Sequence, residues 1–217
     1  MEKKSSKAII ITYVLIAILG FAAILIIPSS REVFKTLSKN YAYIMAFIKF
    51  SILATAGELL ATRLAKKEWV CPPKIIARFI IWGFIGMWIT LMMGAFKTAV
   101  YGGLLPLPGD GIFKNILQAF YISVIMNTTF GPTFMAVHKC SDKYLELRAS
   151  GVAKPSLKDV ICGVDWEKFV SFTIFKTVPL FWIPAHTITF LLPAEYQVIM
   201  AASLSVALGI ILNFNKK

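Results

Sequence analysis

Charge is what this chain has least of. Only 16% of its 217 residues are Asp, Glu, Lys or Arg, where a water-soluble domain carries about a quarter. That shortage excludes a surface clothed in water on all sides. Cysteine is scarce too: Cys71, Cys140 and Cys162 lie far apart, which excludes a disulfide framework and reads as three reduced thiols. With two histidines and no Cys-x-x-Cys or His-x-x-x-His spacing, nothing in the pattern points to a metal, and no cofactor is expected. There is no Gly-x-x-x-x-Gly-Lys-Ser/Thr loop, no nucleophile elbow and no pair of carboxylates within one apolar run. Each would be needed to hold phosphate, attack an acyl carbon or shuttle protons, so the chain reads as a non-enzyme.

What is present is apolar. Hydrophobic residues make up 58% of the chain and the mean hydropathy is +0.73. The net charge of +12 would in a soluble protein point to nucleic acid. Here the cations sit between apolar runs and not on one polar face, so the expected partner is the lipid bilayer and no nucleic acid.

Six apolar runs can be marked off: Ala8–Ile27, Tyr41–Thr62, Ile75–Phe96, Ile112–Val137, Phe169–Leu192 and Ala194–Phe214. Each is long enough to cross about 30 Å of hydrocarbon at about 1.5 Å per residue. In lipid only helices and closed barrels satisfy their backbone, and these runs are too long and too little alternating for barrel strands. The fold class that follows is all-α: a polytopic transmembrane helix bundle of about six spans, forming one integral domain. Ala8–Ile27 reads as a retained span, with a cleaved signal peptide as the alternative, since Ile26-Ile27-Pro28-Ser29 offers no small-x-small cleavage site.

Charge counting orients the bundle. With the N-terminus inside, Lys3, Lys4, Lys7, Arg63, Lys66, Lys67, Lys74, Arg78, six cations between Lys139 and Lys168, Lys216 and Lys217 give sixteen basic residues inside. Arg31, Lys35, Lys39 and Lys97 give four outside. The positive-inside rule then puts both termini on the cytoplasmic side, where thiols normally stay reduced. Between the first two spans, Val33, Phe34 and Leu37 form a short apolar stripe within Arg31–Lys39, expected to lie in the interface as an amphipathic turn or two. Lys139–Lys168, with Gly151 and Pro155, reads as a cytoplasmic loop.

Polar residues inside spans are costly in lipid and mark sites of interest. Lys176 leads them: Thr173, Lys176 and Thr187 fall on one stripe of an ideal helix interrupted by Pro179 and Pro184, and such a stripe would line a wet path. The competing explanation is a snorkelling lysine on a kinked, packed helix. Ser123, Asn127 and Gly131 recur every four residues and either face the same cavity or bond neighbouring helices. His186 beside Pro184 is a titratable group for a gate or a packed core histidine. Glu58 is expected to pair with Arg63 or Arg78 near the inner surface, as an ion pair or a gate, and Lys49, nine residues from it, points to the opposite face. Ala54, Gly57 and Ala61 make a small-residue stripe for close helix approach.

Several segments also resemble the Mpv-seventeen and peroxisomal membrane protein family, over about residues 31–214 and leaving the extra span at 8–27 outside. The segment from Gly57-Glu58 to Thr62-Arg63 is similar to that family's Gly-Asp-x-x-x-Gln, with Glu for Asp and Thr62 where Gln is usual, and Arg78 followed by Gly83 and Gly86 resembles the basic start and glycine pair of its next helix. The fullest likeness is Trp182-Ile-Pro184-Ala185-His186 followed by Thr189-Phe190, Pro193 and Tyr196-Gln197, similar to Trp-Pro-Ala-x-Gln-x-x-Asn-Phe and Pro-x-x-Tyr-Arg. Met87-Trp88 departs from the family's Gly-Pro. Members are regarded as small pore-forming proteins of organelle membranes, so the resemblance implies a transport-like role. The expectation is therefore a small pore or passive transporter for small solutes or anions, with a homo-oligomer as an open option. The rival is a scaffold that binds lipid or a partner protein. Anions are favoured by Lys49 and Lys176 alone. A bacterial cytoplasmic membrane is the expected location, with an organelle membrane as the alternative.

Overall fold

The computed structural model describes the backbone of residues 2–214 and, within it, the side chains of residues 7–64, 66–204 and 207. The described residues form helices and connecting turns, with no strand. Five helical stretches among them are long and apolar enough to cross a bilayer: Lys7–Ile26, Ala42–Leu64, Ile75–Tyr101, Gly111–Ala149 and Trp166–Leu191. They correspond to the first five apolar runs, and the chain is an all-helical membrane protein. The sixth run forms helix α10, Ala194–Phe214; its last seven side chains lie outside the described residues.

The chain divides into two compact units: Met1–Thr90 with Ala194–Lys217, and Leu91–Pro193. The first contains α1 (Glu2–Ile26), α2 (Pro28–Asn40), α3 (Ala42–Lys66), the start of α4 (Ile75–Tyr101) and α10. Ile10, Val14 and Ala17, spaced for one helical face, pack on Ala56 and Leu59 of α3. The Tyr13 hydroxyl donates to the Ile52 carbonyl at 3.0 Å. Other apolar side chains of α1, such as Ile9, Ile16 and Leu19, are exposed, as a lipid-facing surface requires. Within the small-residue stripe of α3, Ala54 and Gly57 are buried and Ala61 is half-buried.

Helix α4 approaches α3 through its glycine pair. A Cβ on Gly83 would stand 2.5 Å from Ser51 Oγ, and one on Gly86 would stand 2.5 Å from Phe50 Cβ and 2.7 Å from the Ala46 carbonyl oxygen. Only hydrogen fits there. The resemblance marked this pair as a motif; its physical content is backbone proximity.

The segment before α3 is longer than the expected turn or two. Pro28, pre-set for a first helical turn, opens a helix of 13 residues. Of its apolar stripe only Phe34 is buried, against Lys49 of α3; Val33 and Leu37 are exposed.

The second unit holds the end of α4, α5 (Gly111–Ile125), α6 (Gly131–Ala149), α7 (Leu157–Cys162), α8 (Trp166–Lys168) and α9 (Ile183–Leu191). A π-helical turn, Met126–Phe130, joins α5 to α6, and a π segment, Phe169–Trp182, joins α8 to α9. The expected cytoplasmic loop from Lys139 is corrected here: the helix continues to Ala149. Its polar end is supported by His138 with Asp142 at 3.7 Å and Lys143 with Glu146 at 2.8 Å, pairs spaced to meet on one helix face. Gly151, at φ +100°, turns the chain after it. Helix α7 then starts at a capping box, in which Asp159 N–H donates to Ser156 Oγ at 3.1 Å and Ser156 N–H donates back to the Asp159 carboxylate at 2.9 Å. The Ser156 hydroxyl and backbone hold the Asp159 carboxyl below the usual carboxylate range.

Candidate functional site

Polar side chains gather at three buried places, two in the first unit and one in the second. In the first unit Arg78 Nη1 lies 2.6 Å from Glu58 Oε1. Trp82 Nε1 donates to Glu58 Oε2 at 3.1 Å, and Arg78 Nε donates to the Pro73 carbonyl at 3.1 Å. Of the two expected partners for Glu58, Arg78 is the one the fold supplies. Arg63 instead lies over the Trp69 ring, 6.0 Å from its centroid. Cys71 is exposed in the loop between α3 and α4, where partial desolvation and the nearby Glu58 charge push its thiol up.

Lys49 is 2% exposed. Its ammonium donates to Ser38 Oγ of α2 at 2.8 Å and stands 4.4 Å from the Phe34 ring centroid. Sequence reasoning picked out Lys49 but not Ser38, because nothing in the pattern says that α2 folds back over the second turn of α3.

The second unit brings Ser123, Asn127 and His186 together, and all three are buried. Asn127 Nδ2 donates to the Ser123 carbonyl at 2.8 Å. His186 Nδ1 lies 3.0 Å from Asn127 Nδ2 and 3.1 Å from Oδ1, so the amide can pair with the ring whether that nitrogen accepts or donates. The Ser123 hydroxyl donates to the Ile183 carbonyl at 2.7 Å, and Thr187 donates to the same oxygen at 2.8 Å. That carbonyl sits where the π segment gives way to α9. The Trp182 ring lies 5.4 Å from His186 and Phe190 lies 6.5 Å from it. Lys97, counted from the sequence as an outer cation, stands within α4, 5.8 Å from the Phe190 ring centroid.

Lys176 does not share this interior. It is exposed, beside the exposed Phe175 and near the exposed Leu180, while the buried polar residues of the same stretch are Thr177, His186 and Thr189. Thr173 and Thr187 are half-buried. The single stripe of Thr173, Lys176 and Thr187 assumed α-helical pitch throughout. From Phe169 to Trp182 the chain bonds as a π-helix around Pro179, with more residues in each turn, so the faces drift. Thr177 Oγ1 donates five residues back, to the Phe172 carbonyl, at 3.1 Å.

No family model, no curated protein and no solved structure matches this chain.

Proposed function

We propose that the chain is a passive transporter for small hydrogen-bonding solutes, with Ser123, Asn127 and His186 at its polar centre. One observation carries this reading. Two apolar helices of the second unit are both interrupted by π-helix, the interruptions pack on each other, and three buried polar side chains lie beside them. π-turns are frequent at functional sites, and transporters use broken helices to present polar groups within the bilayer. The likeness to the Mpv-seventeen family supports the same role. A preference for anions keeps little support, since Lys176 is exposed and Lys49 is tucked under α2 in the other unit. A scaffold is favoured by a different observation: the three polar groups satisfy one another between the Trp182 and Phe190 rings.

Solute entry into proteoliposomes separates the two. With the transporter reading, vesicles carrying the protein swell faster than empty ones in small polyols or amides. Asn127→Leu then lowers that rate about tenfold, equivalent to about 1.4 kcal/mol, while the exposed Phe175→Leu leaves it unchanged. Wild type that swells no faster than empty vesicles, at confirmed reconstitution, would sink the transporter and leave the scaffold.

Orientation belongs to the same proposal, in a bacterial cytoplasmic membrane by preference over an organelle membrane. Cys71 and Cys162 are exposed, and the basic-residue count assigns both to the cytoplasmic side. In single-cysteine variants, an impermeant maleimide should label neither in intact cells and both in inverted vesicles. Because its thiol is raised, Cys71 should label more slowly than a free cysteine peptide at neutral pH, a lag that shrinks as pH rises. Labelling of either from outside would refute the orientation.

A further inference from the structure

Three of the four basic residues assigned to the outer side, Arg31, Lys35 and Lys39, lie on α2. That concentration runs against the general depletion of cations on that side. The carboxylates at this corner are Glu32 and Glu195, and both are on Lys35, at 3.3 and 4.0 Å. Among the described residues Arg31, Lys39 and Lys49 make no ion pair.

Lys49 is the informative member. Its Cα lies two helical turns inside α3, yet its ammonium reaches back to Ser38 on α2. Helical side chains lean toward the N-terminus, and a lysine near a span end extends its charge toward the headgroup layer. Helix α2 joins two apolar spans and exposes both charge and Val33 and Leu37, as a helix lying in the interface does. An ammonium has three donors. Ser38 takes one, and the Phe34 ring face offers only a soft electrostatic contact. An ammonium held out of water without an anion is costly. The chemistry that complements such a charge, beside a helix lying in the interface, is an anion at the depth of lipid phosphates.

We infer that Lys49 and Ser38, together with Arg31 and Lys39 on the same helix as Ser38, form a binding site for the phosphate of an anionic lipid headgroup where α2 covers α3. The site lies wholly in the first unit, independent of the polar centre proposed for transport.

The experiment is thermal unfolding of the purified full chain in neutral detergent, with and without added lipid. Phosphatidylglycerol should raise the wild-type Tm by several degrees, and phosphatidylcholine should not. Inorganic phosphate at millimolar concentration should fail to reproduce the rise, which places the anion on a lipid. Lys49→Met should lose most of the phosphatidylglycerol increment whatever its own starting Tm, Lys49→Arg should keep it, and Lys176→Met, an exposed lysine elsewhere, should keep it in full. Ser38→Ala should reduce the increment without abolishing it, and it serves as the reading variant if Lys49→Met does not fold. An increment unchanged in the Lys49→Met chain, or in the Ser38→Ala chain where that must stand in, overturns the site. Equal stabilisation by inorganic phosphate overturns its assignment to lipid.

Discussion

Gly86→Leu should unfold the first unit at markedly lower temperature than wild type, with a Tm lower by roughly 6–10 °C. The reason is geometric. The first carbon of any side chain at this position would meet Phe50 Cβ at 2.5 Å and the Ala46 carbonyl oxygen at 2.7 Å. A backbone oxygen cannot rotate away, so α3 and α4 must separate. Overpacking of this kind costs about 1–3 kcal/mol and occasionally more, and a chain of this size loses about 2–4 °C per kcal/mol. Gly86→Ala should therefore already be destabilising, by about 2 kcal/mol. Gly94 on the same helix is the internal control, because nothing lies within 4 Å of a Cβ placed there. Gly94→Ala should be neutral within about 0.5 kcal/mol, as for surface substitutions. Equal Tm values for the Gly86→Leu and Gly94→Ala chains in the same detergent would show that the helices do not touch at Gly86.

The second large effect concerns the pair beneath them. Arg78→Met should cost about 3–5 kcal/mol, the range for removing one member of a buried ion pair. Arg78 is largely buried, its guanidinium is 2.6 Å from Glu58, and removing it leaves that carboxylate with Trp82 as the partner described above. Glu58→Gln should cost less, since an amide oxygen still accepts from Trp82. The double variant should be more stable than the sum of the two losses predicts, by about 1–3 kcal/mol of coupling. A salt series adds a second reading. A partly enclosed pair is weakly screened, so the Arg78→Met loss should change little between low and high ionic strength. Strictly additive losses would mean that Glu58 and Arg78 stabilise the bundle separately and that their closeness is incidental.

Most of the helical plan was legible from local pattern. Five apolar runs became five spanning stretches because lipid leaves the backbone no choice but internal hydrogen bonding. That Glu58 meets a cation is legible too, since a span-embedded carboxylate needs one nearby; the sequence leaves Arg63 and Arg78 both open, and the fold supplies Arg78. The failures share a cause. Lys139–Lys168 reads as loop because it is polar, yet its first part, to Ala149, is helix, since polar sequence with His138–Asp142 and Lys143–Glu146 spacing helps a helix leaving the membrane to continue. Residues Arg31–Lys39 read from sequence as a turn or two because so short an apolar stripe cannot hold a helix alone; resting Phe34 on α3 lets it extend.

The polar centre shows where sequence stops. Asn127 and Ser123 pair by their spacing of four, a local property. His186 joined them only through the packing of α5 and the π turn on α9 and the π segment. The angular position of a side chain on a helix depends on pitch, and hydropathy does not encode the change from α to π around Pro179. That change turned Lys176 outward and left Thr177 and His186 inside. The sequence by itself determined that this is a helical membrane protein, and where its spans begin, because burial in lipid is a property of each run alone. Tertiary structure decided which polar groups meet, because a contact between distant helices depends on pitch, crossing and the absence of side chains at Gly83 and Gly86.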